Sequence, residues 1–248
     1  MNSATPATTA VTPDGFPYAG SNVSLRERAY RIRRHALPMG EVQGQGYIAQ
    51  ALGIADVLAV SCFRALRYRP DDVRWEGRDR FLLSIGHYVI VLYAALIEAG
   101  ILPESESETY GTDGSRLPMS GMAAYTPGME ITGGSLGHGV GIVDANDQQA
   151  DGPSSAISSR EPLHERFRAF GWHTRRVDGN DIDAVAAAFD AARAAEVAAP
   201  RIVICDTRMA KGVPFLEARE HNHFLRVEPD EWQQAIALLD AIFSGKKS

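Results

Sequence analysis

Cysteine is scarce in this chain, with only Cys62 and Cys205 among its 248 residues. The two lie far apart in apolar surroundings, and neither has a second metal-ligating residue at close spacing. A disulfide framework and a zinc site are therefore not expected, and both thiols should be buried and reduced. At this length a hydrophobic core can form without disulfides or a structural metal.

Long apolar runs and surplus basic charge are also missing. No run approaches the roughly 20 apolar residues that cross a bilayer, and the N-terminus lacks the basic and hydrophobic regions of a secretory signal. The formal net charge is −6. Basic residues cluster only at positions 26–34, on a short helical stretch, where a solvated face or a protein interface is favoured over nucleic-acid binding. We therefore expect a cytoplasmic protein with no membrane and no nucleic-acid partner.

The chain divides into an arm and one domain. Residues 1–23 are rich in Thr, Pro, Ala and Ser and lack periodicity, which predicts a flexible N-terminal arm, free or draped over a partner. Residues 24–248 form the predicted domain. Ser24 resembles the N-cap of a helix that Pro38 ends.

Short apolar segments alternate with helical ones through this domain. Strands are predicted at FLLSIG (81–86), at GIVDAN (141–146), after FGW (170–172) and at PRIVICD (200–206). Helices are predicted at 54–66, 87–100 and 183–196 and from Pro229 onward, while 104–125 is polar and irregular. This alternation predicts the α/β class, with a parallel sheet flanked by helices. Ligands of such sheets bind at the carboxyl ends of the strands.

Four features of the loops could carry chemistry. His87 opens a predicted helix, whose N-terminus suits an anionic ligand; the alternative is a capping or packing histidine. The run TPGMEITGGSLGHG (126–139) holds five glycines, which let the backbone approach a ligand, although it lacks the G-x-G-x-x-G spacing. Asn146 and a nearby carbonyl could ligate Mg²⁺ or Ca²⁺, unless they form an Asx turn. His221 and His223 have no companion ligands at familiar metal spacing.

Taken in order, these stretches resemble the N-terminal, diphosphate-binding half of transketolases. The resemblance spans roughly residues 40–225 and is closest to bacterial forms in which that half is a separate subunit. It implies the thiamine diphosphate-binding (PP-type) fold and thiamine diphosphate held by Mg²⁺ (or Ca²⁺). The implied reaction transfers a two-carbon ketol unit from a ketose to an aldehyde.

The resemblance also implies roles for particular residues. His87 and His223 correspond to catalytic histidines near the diphosphate and the substrate entrance. Gly134 and Leu136 correspond to loop residues that face the aminopyrimidine and the thiazolium. Asn146 corresponds to a metal ligand, beside the carbonyl of Gln148. The turn 178–180 corresponds to a structural feature.

A partner chain is implied as well. In the transketolase family the glutamate that activates the cofactor belongs to a pyrimidine-binding domain, and the chain ends at residue 248 without one. We therefore expect a C-terminal transketolase subunit as the partner, in an α₂β₂ hetero-oligomer.

Two substitutions depart from the family pattern. Tyr47 and Met122 stand where typical members have histidines that contact sugar-phosphate substrates. Their presence argues against the usual pentose phosphates and favours a different ketol or acyloin substrate.

A larger departure follows Gly139, where more than one βαβ unit, roughly 30–50 residues, is missing. The missing part includes a Gly-Asp-Gly motif whose aspartate is the anionic metal ligand. Asn146 and a carbonyl alone would hold Mg²⁺ poorly, and losing a central strand would leave a gap or a shifted pairing in the sheet.

Three explanations of this gap stay open. A mobile segment of the protein is missing from the chain as it stands, or the deletion is genuine and leaves a non-catalytic structural or regulatory subunit, or it is engineered. The first fits best, because the flanking motifs follow the functional pattern. A related thiamine enzyme, such as a dehydrogenase E1 α subunit, is a weaker alternative.

Overall fold

The computed structural model of this chain describes residues 16–18, 21–131, 142–149, 152–157 and 161–245. Within these residues the helices are α1 (Leu25–Gln43), α2 (Ile48–Val60), α3 (Val89–Glu98), α4 (Ser154–Ile157), α5 (Leu163–Ala169), α6 (Ile182–Ala194), α7 (Pro214–Glu217) and α8 (Pro229–Gly245). The strands are β1 (Gln45–Gly46), β2 (Ile142–Ala145), β3 (Gln148–Gln149), β4 (Gly152–Pro153), β5 (His173–Asp178), β6 (Arg201–Asp206) and β7 (Leu225–Arg226). A π-helical turn, Ser61–Ala65, extends α2, and a 3-10 turn, Gly86–Tyr88, precedes α3.

The main sheet has three described strands in the order β2-β6-β5, all parallel. Ala145 and Asp178 both pair with Asp206 in the register, so the carboxyl ends of the three strands lie side by side. The predicted parallel α/β sheet is confirmed. Two small antiparallel pairs, β1 with β7 and β3 with β4, form outside it.

Helix α1 begins at the predicted residue but does not end at the predicted one. The Ser24 hydroxyl accepts a hydrogen bond from the backbone N–H of Glu27 at 3.1 Å, which confirms the N-cap. The helix continues through Pro38 and ends only at Gly44, whose φ is 65°. The predicted end at Pro38 is therefore wrong. Tertiary packing sustains the helix there, because Gly40 lies so close to the Trp232 ring of α8 that a Cβ would come within 2.8 Å of it.

Helices α2 and α3 form the centre of the core. Every residue of α2 is buried, so this helix is surrounded by protein rather than amphipathic. The stretch Ile48–Ala65 is long and apolar enough to cross a membrane by length and composition alone, which is longer than we expected of any apolar run. Because 83% of it is buried within the protein, it has the features of a core helix.

The segment FLLSIG forms no strand, so that prediction is wrong. Residues 81–85 have an irregular conformation, and Leu82 is 57% exposed. A cavity of about 560 Å³ separates this segment from β2, with Ile85 and Ile142 in its lining. Among the described residues, β2 pairs only with β6. An extended segment without a neighbouring strand has no partner for its backbone groups, so it does not become a strand.

The basic cluster of α1 forms ion pairs with neighbouring elements. Two of its arginines are buried, with Arg28 against Glu98 at 2.5 Å and Arg33 against Asp56 at 2.6 Å. These pairs hold α1 against α3 and α2.

Both cysteines are buried and free, as predicted. The N-terminal arm is described only at residues 16–18 and from residue 21 onward. There Tyr18 is buried and donates a hydrogen bond to the Ala99 carbonyl at 2.6 Å, so this part of the arm packs on the domain.

Candidate functional site

Three aromatic rings meet where α2 and α3 begin. Tyr47 occupies the N-cap of α2, and His87 lies in the 3-10 turn before α3. The ring centroids of Tyr47 and His87 are 4.5 Å apart, those of Tyr47 and His223 5.6 Å, and those of the two histidines 6.1 Å. The structure thus brings the two predicted catalytic histidines together around Tyr47.

The short β1–β7 pair explains this meeting. Gly46 pairs with Leu225 in the register, which places Tyr47 beside the residues just before β7. Phe224 consequently packs edge-on against the Tyr47 ring at 5.1 Å and remains 45% exposed. The mouth of the cluster is therefore aromatic and partly open to solvent.

Both histidines titrate below their ordinary range. Burial lowers the pKa of His87, and the nearby His223 lowers it further. Burial also lowers the pKa of His223. With an ordinary pKa near 6.5, both imidazoles are neutral at pH 7. They can exchange hydrogen bonds or accept a proton there, but they carry little positive charge.

We expect the substitution His223→Gln to raise the pKa of His87, because it removes the second cause of the depression. The value should stay below 6.5, since burial is the larger cause and remains. An NMR titration of the His87 ring protons measures this shift. The matched control is His221→Gln, in the same loop but exposed, which should leave the titration unchanged. A lower or unaltered pKa of His87 in the His223 variant would contradict the expectation.

Asn146 lies at the carboxyl end of β2 and contacts the histidine cluster through Tyr88. Its side-chain amide donates to the Tyr88 hydroxyl at 3.1 Å and to Asp144 at 2.7 Å. The Tyr88 ring packs edge-on against His87 at 5.0 Å. The Asn146 oxygen accepts the backbone N–H of Gln148 at 3.0 Å. The Asx turn that the sequence left open as an alternative is therefore present.

The carboxylates next to Asn146 already accept hydrogen bonds from other groups of the protein. Asp144 accepts hydrogen bonds from Thr207 and Asn146, and burial raises the pKa of Asp144 to about 6. Asp147 accepts from the backbone N–H and the hydroxyl of Ser155, each at 2.8 Å. The described residues contain no group of three or more His, Cys, Asp or Glu side chains that could hold a metal ion. Asn146 and Gln148 supply only neutral oxygens, so a divalent cation does not fit this set as it stands.

Other predicted residues fall at different places. Gly134 and Leu136 lie outside the described residues. Met122 is 38% exposed, and it follows Gly121, whose N–H donates to the Gly86 carbonyl at 3.3 Å beside the turn that carries His87.

The turn 178–180 is structural, as expected. The Asn180 side chain donates to the Gly53 carbonyl at 2.7 Å and accepts the N–H of Arg208 at 2.7 Å. It therefore joins the end of β5 to α2 and to the loop after β6.

Sequence reasoning missed Asp144, Tyr88 and Gln50 as parts of this site. Asp144 could have been found from the polar residues at the end of its strand. Tyr88 and Gln50 stand inside apolar helical sequence, where nothing distinguishes them from core residues.

The chain matches the family described as "Transketolase, thiamine diphosphate binding domain" over residues 26–143 and again over residues 140–238. It belongs to the transketolase family. The predicted resemblance is confirmed.

Individual relatives agree with this assignment. The chain is 61% identical to a transketolase family protein of Sinorhizobium fredii, over 90% of this chain and 97% of that protein. It is 28% identical to the 6-deoxy-6-sulfo-D-fructose transketolase subunit of a Clostridium species, over 88% of this chain and 97% of that subunit. The structure of transketolase from Leishmania mexicana superposes with a TM-score of 0.80 at 23% identity, covering 89% of this chain and 41% of that chain. This last likeness confirms the fold, and the chain spans less than half the length of that solved structure.

The comparisons also indicate that this transketolase-family chain lacks a segment. The Sinorhizobium match runs over 271 residues although it takes in only 90% of this chain, which has 248 residues in all. The Clostridium match likewise runs over 267 residues and takes in 88% of the chain. Both relatives therefore carry residues that have no counterpart here. The family match breaks and restarts at residues 140–143, so we place the gap just after Gly139, as the sequence predicted.

Proposed function

We propose that this chain is the diphosphate-binding subunit of a two-subunit transketolase of the cytoplasm. It would act on a ketose-type donor and an aldehyde acceptor, with thiamine diphosphate and a divalent cation, in an α₂β₂ assembly. The partner would be a C-terminal transketolase subunit that carries the pyrimidine-binding domain. The observation that carries this proposal is the cluster of His87 and His223 around Tyr47, joined through Tyr88 to Asn146 at the carboxyl end of β2.

The chain's own residues would bind and orient the sugar. Neutral imidazoles of His87 and His223 can donate hydrogen bonds to hydroxyl or carbonyl oxygens and can take up a proton near neutral pH. The aromatic faces of Tyr47 and Phe224 would exclude water on one side of the mouth. The split relative from Clostridium is itself named as a transketolase subunit, which supports a partner chain for this one.

A second candidate function is a non-catalytic subunit that binds the pyrimidine-domain partner without cofactor. Two observations favour it. A segment that the relatives carry is missing beside β2, and the carboxylates next to Asn146 are already hydrogen-bonded. A subunit of this kind would still bind its partner but would not catalyse ketol transfer.

The test is a ketol-transfer assay on the chain with the segment missing after Gly139 restored from the Sinorhizobium relative, co-purified with the pyrimidine-domain subunit of its own organism. Thiamine diphosphate and Mg²⁺ are added, with hydroxypyruvate as the donor and glycolaldehyde as the acceptor. We expect transfer that falls at least about 100-fold in His87→Ala and His223→Ala. Transfer should persist in His221→Ala, whose side chain is exposed.

Two results would go against catalysis. A stable complex that forms equally well with and without the cofactor, and that transfers no ketol unit, supports the non-catalytic candidate instead. Failure of the two chains to associate at all contradicts both functions.

A further inference from the structure

Gln50 is an amide buried in apolar surroundings. It lies in the first turn of α2 and is 1% exposed. Burying an amide is costly unless its donors and acceptors find partners. Gln50 finds partners only for its nitrogen among the described residues, since its Oε1 atom is buried without a hydrogen bond there. A glutamine kept at such a place needs a reason beyond packing.

The partner of that nitrogen is His223. Gln50 Nε2 donates a hydrogen bond to the backbone carbonyl of His223, and it lies 3.4 Å from Nδ1 of the same residue. A carbonyl oxygen can only accept, so the amide must turn its nitrogen rather than its oxygen toward His223. This contact orients the amide independently of the ring.

The orientation of the amide decides the state of the ring. An NH₂ group has two hydrogens, and with one on the carbonyl the other faces the nearby Nδ1. A protonated Nδ1 would place two N–H groups against each other, which is unfavourable. A neutral imidazole carries one proton, so that proton belongs on Nε2, on the other side of the ring.

We propose that Gln50 is a positioning residue that holds His223 as the Nε2–H tautomer. His223 then presents a hydrogen-bond donor to a hydroxyl or carbonyl oxygen of a bound sugar. The choice of a sugar oxygen rests on the proposed function, whereas the tautomer rests on the contacts alone. Packing restrains the ring as well, since Tyr47 meets His223 nearly at a right angle, with an interplanar angle of 85°.

The test is NMR of the ring nitrogens in protein labelled with ¹⁵N-histidine, with the His223 signals assigned from His223→Gln. We expect the wild type to show protonated Nε2 and unprotonated Nδ1. In Gln50→Met, which has a similar size but no amide, the two tautomers should mix. In Gln50→Glu the carboxylate accepts rather than donates, so the proton should move to Nδ1.

The matched control is Gln43→Met. Gln43 also donates to a backbone carbonyl, that of Tyr110 at 2.8 Å, but among the described residues no hydrogen bond joins it to His87 or His223. It should leave the His223 signals unchanged. If Gln50→Met does not fold, Gln50→Asn, whose amide is one methylene shorter, provides the same comparison.

A wild-type His223 protonated on Nδ1, or a Gln50 variant with the wild-type tautomer, overturns the proposal. Failure of the proposed function has a different signature. If the tautomer is as expected but the assembled protein transfers no ketol unit, the positioning contact stands and the catalytic role fails.

Discussion

Replacing Asp56 by alanine is expected to lower the free energy of unfolding by about 3–5 kcal/mol. Asp56 of α2 binds Arg33 of α1 through two contacts, at 2.6 and 3.2 Å, and both side chains are about 10% exposed. It also accepts a hydrogen bond from Asn180 at 3.1 Å. Its loss leaves the Arg33 guanidinium buried and unpaired. For a chain of this length the melting temperature should fall by roughly 6–20 °C.

Two comparisons separate burial from the mere loss of an ion pair. Arg64 and Asp190 also pair at 2.7 Å, but both side chains are about half exposed, so Asp190→Ala should cost at most about 1 kcal/mol. The double variant Arg33→Met with Asp56→Leu should recover most of the stability, because no charge is then left unpaired. Equal losses for Asp56→Ala and Asp190→Ala in chemical denaturation would show that burial of the pair is not what matters.

Restoring the missing segment is expected to create Mg²⁺-dependent binding of thiamine diphosphate. The insertion is the segment that the Sinorhizobium relative carries without a counterpart here, placed between Gly139 and Val140. A cavity of about 560 Å³ lies beside β2, with Ile142 and Asp144 in its lining. A strand parallel to β2 would end beside Asn146, because parallel strands end at the same edge of the sheet. A carboxylate there supplies the charge that Asn146 and Gln148 lack.

We expect calorimetry with thiamine diphosphate and Mg²⁺ to show binding at least about 100-fold tighter in the restored chain, or about 2.7 kcal/mol. An insertion of equal length made of Gly and Ser is the matched control and should add nothing. The transketolase resemblance implies a Gly-Asp-Gly motif in the inserted segment, and changing the aspartate of that motif to asparagine should remove most of the gain. Tight, Mg²⁺-dependent binding by the present chain itself, without the insertion, would contradict this account of the gap.

The family resemblance identified residues of the candidate site that local sequence patterns could not. Taken singly, each of His87, His223 and Asn146 also has an ordinary structural interpretation. Asn146 does form the Asx turn that was its alternative. Their order along the chain identified the family, which the family match confirms. Their roles as site residues stay predictions that the variants above address.

Some contacts could not be predicted from neighbours along the chain. Pro38 has the local signature of a helix end, yet α1 continues because its far turn packs on Trp232, near the other end of the sequence. FLLSIG has the composition of a strand, yet a strand needs a partner beside it, and the described part of the sheet offers none. Both errors arise where a distant element, present or missing, outweighs local preference.

The sequence by itself determined the class of the fold, the strands β2, β5 and β6, the family and the position at which the family match breaks. These depend on periodicity, capping and motif order, which are properties of residues close together in the chain. Only the tertiary structure decided that Tyr47 meets both histidines and that Gln50 contacts His223. It also decided that Asp144 and Asp147 accept hydrogen bonds from Thr207 and Ser155. Such contacts join different elements, in most cases far apart in the sequence, and packing of the whole domain decides which of them meet.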